Sequence, residues 1–166
     1  FYIAETNVSK KIVELSRVEL EKLNIDVEEE INNIEDKEGI KFARRQREAI
    51  KESVENGMLI ITGGPGTGKT TTINAIIKLF EEKELEVVLA APTGRAAKRM
   101  SQATGREAKT IHRLLEYSFM EDEMGFGRDE GSPLEADVVI IDETSMVDII
   151  LMNNLLKAIM ARTRVI

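Results

Sequence analysis

Gly63, Gly64, Pro65, Gly66, Thr67, Gly68, Lys69 and Thr70 form one uninterrupted G-x-x-x-x-G-K-[ST] segment, the residue types and spacing of a loop that cradles phosphate. Glycines at 63, 64, 66 and 68 let the backbone reach positive φ and bring successive N–H groups close to phosphate oxygens. The positive end of a following helix extends that nest. Lys69 adds a mobile positive charge for the β and γ phosphates, and Thr70 offers a hydroxyl to Mg²⁺, an ion that takes few protein ligands besides substrate phosphates. A second chemical group lies farther along. Val138-Val139-Ile140-Ile141 is an apolar run that ends in Asp142 and Glu143. An acid in the first position can hold Mg²⁺ through water, and one in the second can orient or deprotonate an attacking water. Ligands of a parallel sheet sit beyond the carboxyl ends of its strands, so Asp142 and Thr70 are expected to face one site.

The flanking patterns predict the elements that must hold these groups. Met58 to Thr62 is an apolar run of strand length, and Thr72 to Lys83 puts Ile73, Ile76, Ile77 and Phe80 on one helical face. Further strands are predicted at 87–91 and 137–141. Alternating strands and helices imply an α/β fold, a phosphate-loop NTPase with a parallel sheet flanked by helices. Short helices are expected at 96–103 and 110–117, a surface loop or hairpin at 118–133, and a last, largely buried helix over 148–161 with Ile150, Leu151, Asn154, Leu155 and Ala158 along one side. The first forty residues read as a helical appendage. Ile12, Leu15, Leu20 and Leu23 form a rough stripe, Asp26 can cap a second helix bearing Val27, Ile31 and Ile34, and Gly39 separates it from a third helix at about 43–55.

Composition narrows the chemistry. The 166 residues contain no cysteine and one histidine, so any metal is expected to be held by oxygen. No apolar run reaches eighteen residues and no signal peptide opens the chain, which makes a soluble cytoplasmic protein the expectation. Net charge is −7, but residues 19–38 alone hold nine acids against Lys22 and Lys37. The stretch 91–113 runs the other way, with Arg95, Lys98, Arg99, Arg106, Lys109 and Arg113 against Glu107. Local positive potential of that kind suits nucleic-acid phosphate, although a solvated helix face has the same composition.

Four motifs in order resemble the superfamily 1B helicases of the RecD-like group. They are the glycine-rich loop, Ala91-Pro92-Thr93-Gly94-Arg95-Ala96-Ala97-Lys98-Arg99-Met100, Thr110-Ile111-His112-Arg113-Leu114-Leu115, and Ile141-Asp142-Glu143-Thr144-Ser145-Met146-Val147-Asp148. The resemblance implies a RecA-like ATP-binding motor domain over 41–166, cut at its C-terminal end, preceded at 1–40 by a helical appendage or linker. It implies an ATP-dependent DNA helicase moving 5′ to 3′, with ATP and Mg²⁺ as cofactors. Nucleotide contacts would come from Gln46 and from the run Gly63 to Thr71, that is Gly63, Gly64, Pro65, Gly66, Thr67, Gly68, Lys69, Thr70 and Thr71, with the Gln46 amide reading the adenine edge. Metal would fall to Thr70 and Asp142, and catalysis to Glu143 and Lys69. Single-stranded DNA would meet Thr93, Arg95 and His112, whose ring can bond a phosphate or stack on a base. The partners implied are a second RecA-like domain that supplies a transition-state arginine, recombination-nuclease subunits in some members, and no membrane. The next family motif would follow Ile166, on a strand between the phosphate-loop strand and the Asp142 strand. Alone, the chain is expected to bind nucleotide weakly, hydrolyse slowly at most and unwind nothing.

Other readings share parts of this sequence. A DNA-repair or clamp-loading ATPase would keep the loop and the acids. A small-molecule kinase is disfavoured by Glu143, because a hydrolytic base would waste ATP, and a guanine-specific switch lacks an Asn-Lys-x-Asp element. A regulatory nucleotide-binding module would be indifferent to Glu143→Gln.

Overall fold

A computed structural model describes residues 1–64 and 66–166. Its centre is a four-stranded parallel sheet of order β2-β1-β5-β6, built from β1 (Val87–Ala91), β2 (Ala108–Thr110), β5 (Val138–Ile141) and β6 (Arg164–Val165). Strand alternation divides the interior into two cores. Leu89, Val138 and Ile140 point to one face; Ala90, Val139 and Ile141 point to the other. Both faces are covered, as the uninterrupted apolar runs require.

The first face carries α2 (Val27–Glu38), α3 (Arg44–Glu55), α4 (Lys69–Glu82) and α5 (Gly94–Thr104). Ile73, Ile76, Ile77 and Phe80 of α4 are all buried there. Each such side chain contributes about 1.5–3 kcal/mol when fully buried, so α4 is anchored hard directly behind the loop. The second face carries α1 (Tyr2–Arg17), the single-turn α6 (Ile111–Leu114) and α7 (Ile149–Lys157). Leu15 of α1 joins Leu151, Leu155 and Leu156 of α7 in that core. The N-terminal helices therefore cover both faces of the sheet: α1 packs on one, and Ile31 and Ile34 of α2 on the other.

Several sequence expectations need correction. Residues 58–62 do not form a strand. Only Met58 bridges Val165, with Leu59 N–H donating to Val165 O and Val165 N–H to Gly57 O, both at 3.0 Å. The neighbour on that side, β6, meets this segment through Val165, while Ile166 bonds to β5. β6 itself does lie between this segment and β5. The stripe Ile12, Leu15, Leu20, Leu23 is not one helix: α1 ends at Arg17, and Leu20 and Leu23 sit half-buried in a non-helical segment. The last helix stops at Lys157 and not near 161, since Ala158 O is taken by Leu134 N–H at 2.8 Å and the chain turns back toward β6. Ile150 on that helix is half exposed. Of the surface loop or hairpin expected at 118–133, the hairpin forms, from β3 (Tyr117–Met120) and β4 (Glu123–Phe126), closed by Glu121 and Asp122 at positive φ. Asp26 caps α2 through Glu29 N–H at 3.1 Å and Gly39 ends it in a left-handed conformation, as their types predict.

Candidate nucleotide and nucleic-acid site

The loop enters α4 with no side-chain cap. Gly68 stands at the N-cap in a left-handed conformation, φ 76°, so the first N–H groups of a fourteen-residue helix are unpaired within the helix and point back at the loop. A side chain at Gly68 would strain the backbone at this φ and would displace the Gln46 amide. Gly68 O is held by Thr72 N–H, by Thr72 Oγ1 and by Gln46 Nε2 at 3.0, 3.0 and 3.1 Å. Within the loop Thr67 Oγ1 donates to Gly64 O at 2.7 Å. Gly63, Gly64, Gly66, Thr67, Gly68, Lys69, Thr70 and Glu143 line an open cleft of about 570 Å³. Thr71 follows, exposed on the first turn of α4. Pro65, also expected in the loop, lies outside the described residues.

The two chemical groups separated by 73 positions meet. Lys69 Nζ stands 2.9 Å from Asp142 Oδ1, with each side chain about a quarter exposed. The same carboxylate oxygen accepts Glu143 N–H at 2.9 Å. Asp142 immediately follows β5, at the carboxyl end of the sheet. Glu143 itself has φ 55° and ψ 41°, a left-handed conformation for a residue with a full side chain. It lines the main cleft and a smaller one of about 210 Å³ beside Lys69, Thr70, Arg99 and Asp142. The donor set fits a hard cation bound with phosphate. Thr70 and Asp142 supply oxygen from the same cleft, and among the described residues no group of three or more His, Cys, Asp or Glu could hold a metal unaided.

Thr93, the N-cap of α5, and His112, in the turn of α6, each follow a strand of the same sheet. Ala91 of β1 pairs in register with Thr110 of β2, and each residue of interest lies two positions beyond. Both thus sit at the same sheet edge as Asp142. Thr93 Oγ1 caps α5 by accepting Ala96 N–H at 3.1 Å, leaving its hydroxyl hydrogen available. Arg95 is exposed on the first turn of α5. His112 is exposed, its ring edge-on to Tyr117 at 5.3 Å and tilted over Phe126 at 6.0 Å. Sequence reading missed these two aromatic neighbours, which the hairpin register brings opposite one another. Not all of the basic stretch faces solvent alone: Arg106 forms an ion pair with Glu81 of α4.

Gln46 occupies the third position of α3, where its Oε1 accepts Ala43 N–H at 2.7 Å. Sequence reading also missed Glu35, counted among the nine acids of 19–38 but folded inward. Its Oε2 accepts Phe42 N–H and its Oε1 accepts Arg47 Nη1, both at 2.8 Å. The signal was its spacing, since Glu35 shares the apolar face of α2 with Ile31 and Ile34.

Comparison with known proteins agrees with this geometry. Over 125 residues the chain is 41% identical to the ATP-dependent RecD2 DNA helicase of Deinococcus radiodurans, covering 75% of this chain and 17% of that protein. It is 36% identical over 144 residues to the RecBCD enzyme subunit RecD of Mycolicibacterium smegmatis, and 33% identical over 145 residues to that of Haemophilus influenzae. These matches cover 73% of this chain, and 26% and 22% of the relatives. The chain thus spans about a quarter or less of the length of these relatives. The sequence model of the AAA domain family matches residues 46–166, which takes in Gln46, the loop, Thr93, His112 and the acidic pair. The chain belongs to the AAA domain family.

Proposed function

We propose that the chain is the first of two RecA-like motor domains of an ATP-dependent DNA helicase that moves 5′ to 3′. The observation that carries this reading is the 2.9 Å contact between Lys69 and Asp142, which joins the phosphate loop to the acids at one sheet edge. In the proposal, the Gly63–Thr70 backbone and the N-terminus of α4 hold the phosphates of ATP, and Gln46 meets the adenine edge. Thr70 and Asp142 hold Mg²⁺, which when bound neutralises phosphate charge. Lys69 moves from Asp142 to the phosphates, and Glu143 orients the attacking water.

Thr93, Arg95 and His112 supply part of the single-stranded DNA track. The reading is supported by the shared register of β1 and β2 and by the relatives named above. A second RecA-like domain of the parent protein would add the arginine that completes catalysis. The parent would work in the cytoplasm, either alone or with recombination-nuclease subunits; the RecD relatives are named as subunits of a RecBCD enzyme. No helix among the described residues is long and apolar enough to cross a membrane.

Fluorescence anisotropy of labelled oligo-dT, titrated with the chain at low salt with and without a non-hydrolysable Mg·ATP analogue, tests the proposal. Binding that weakens with salt, and in Thr93→Ala and His112→Ala, is the expected result. Nucleotide binding with no DNA binding, also absent from a longer chain carrying the second domain, would favour a different phosphate-loop ATPase. In the longer chain, Glu143→Gln should bind ATP and DNA but lose at least about a hundredfold in turnover.

A further inference from the structure

We infer that Glu35 and Arg47 are positioning residues that fix the base preference of the nucleotide site by orienting Gln46. The inference rests on the proposal that Gln46 meets the adenine edge. It assigns to the N-terminal helices a part in choosing the nucleotide.

Hydrogen bonds run from α2 through the start of α3 to the loop. Glu35 is 7% exposed on the inner face of α2. Its two oxygens grip the entry of α3 at two points, the Phe42 N–H and the Arg47 guanidinium. Arg47 in turn donates through Nη2 to Glu28 Oε2 at 2.7 Å and Asn32 Oδ1 at 3.2 Å, so one guanidinium binds three side chains of α2. Between the gripped points lie Ala43 and Gln46. Ala43 N–H donates to Gln46 Oε1, and Gln46 Nε2 donates to Gly68 O.

These last two bonds set the direction of the carboxamide. Rotating it by half a turn would place its NH₂ against the Ala43 N–H and its oxygen against the Gly68 carbonyl, two repulsive contacts in place of two bonds. The locked group keeps one oxygen lone pair and one N–H unused. Adenine offers an N6 donor and an N7 acceptor on one edge, the complement of that pair, whereas guanine presents acceptors at both O6 and N7. A carboxamide free to turn its NH₂ toward the guanine acceptors would discriminate less between the two bases. Base choice therefore depends on what holds Ala43 in place, and that is the Glu35–Arg47 clamp. The Phe42 N–H and Arg47 keep the Glu35 carboxyl below the ordinary carboxylate range, so the clamp is charged at neutral pH.

Competition of ATP and of GTP against a fluorescent ADP analogue, with Mg²⁺ and the full chain, gives the ratio of the two affinities. The wild type should prefer ATP by roughly five- to a hundredfold, the discrimination of one bidentate base contact. Gln46→Ala should erase the preference. Glu35→Gln and Arg47→Met should each reduce the preference about fivefold or more through loss of ATP affinity, with GTP affinity within about twofold of wild type. The double variant Glu35→Gln/Gln46→Ala should match Gln46→Ala alone, because Glu35 acts through that amide. If Glu35→Gln fails to fold, the half-buried Arg47→Met decides. An unchanged ratio in the clamp variants, beside a lost one in Gln46→Ala, would overturn the inference and leave the adenine reading standing. Equal losses of ATP and GTP affinity would also overturn it, since loosening of the loop alone would do that. An unchanged ratio in Gln46→Ala would end both.

Discussion

Glu143 sits at φ 55° between an Asp carboxylate and a cleft, and a side chain in that backbone well costs roughly 1–2 kcal/mol. Other residues share the conformation, but Glu84 and Glu116 follow the ends of α4 and α6, and Glu121 and Asp122 close a hairpin, where the turn itself demands it. At Glu143 the bend turns the chain out of β5 and leaves the carboxylate lining both clefts. Glu143→Gly should therefore raise stability by about 0.5–1 kcal/mol in urea unfolding, the relief exceeding the extra entropy glycine brings to the unfolded chain. An unchanged or lower midpoint would mean the backbone here is not strained. Glu35 permits a pH prediction. Its folded pKa lies below the ordinary 4.5, first through the Phe42 N–H and then through Arg47. The unfolded chain thus takes up the proton more readily. The stabilisation is complete above about pH 4.5 and is lost as pH falls through that value toward the depressed one. Glu35→Gln should flatten the fall in stability between pH 6 and pH 3, measured by thermal unfolding across that range. At this scale the phosphate loop was legible because its chemistry is written in eight consecutive residues. The Gln46 orientation was not, because it depends on a carbonyl 22 positions away.

Among the elements, the docking of α1 turns on a glycine outside the loop. A Cβ on Gly57 would overlap the carbonyl oxygen of Leu15, which is backbone and cannot swing aside. Gly57 O also accepts Val165 N–H, so the residue is fixed from the sheet side as well. Gly57→Ala must push α1 away from the core it shares with α7, and should cost about 1–3 kcal/mol by urea unfolding. A cost under about 0.3 kcal/mol would mean that α1 has room to shift without loss. Sequence pattern located α4, β1 and β5 well because each has a dense local signal, an amphipathic stripe or an apolar run. It failed at 58–62 and at 18–23 for one reason: both carry apolar residues at element-like spacing, but their conformation follows from neighbours. The first meets its neighbour strand at Val165, and the second leaves α1 where Gly57 meets Leu15. Charge counting missed Glu35 in the same way, because a tally of the acids in 19–38 does not show that one member points inward.

Across the whole molecule, the element that ties sheet to helices is Arg164. It is buried on β6, with Nη2 donating to Val54 O at the end of α3 at 3.0 Å and its guanidinium 5.6 Å from the Phe80 ring of α4. Its Nε is buried without a partner among the described residues, and burial lowers its pKa while Asp137 opposes that shift. Composition gave no hint of this, since its partners Val54 and Phe80 lie far away along the sequence. Two substitutions separate its packing from its charge. Arg164→Ala deletes the aliphatic stem between α3, α4 and the sheet, and the cavity should cost about 2–4 kcal/mol. Arg164→Met keeps most of that volume and removes a desolvated charge with an orphaned donor, a change that is often neutral or stabilising. Against this, Val54 O loses its donor, at about 1 kcal/mol. The two effects are of similar size, so the methionine variant should lie within about 1 kcal/mol of wild type in urea unfolding. A loss above about 2 kcal/mol in Arg164→Met would mean that the charge itself is stabilising, with Asp137 the acid to remove next.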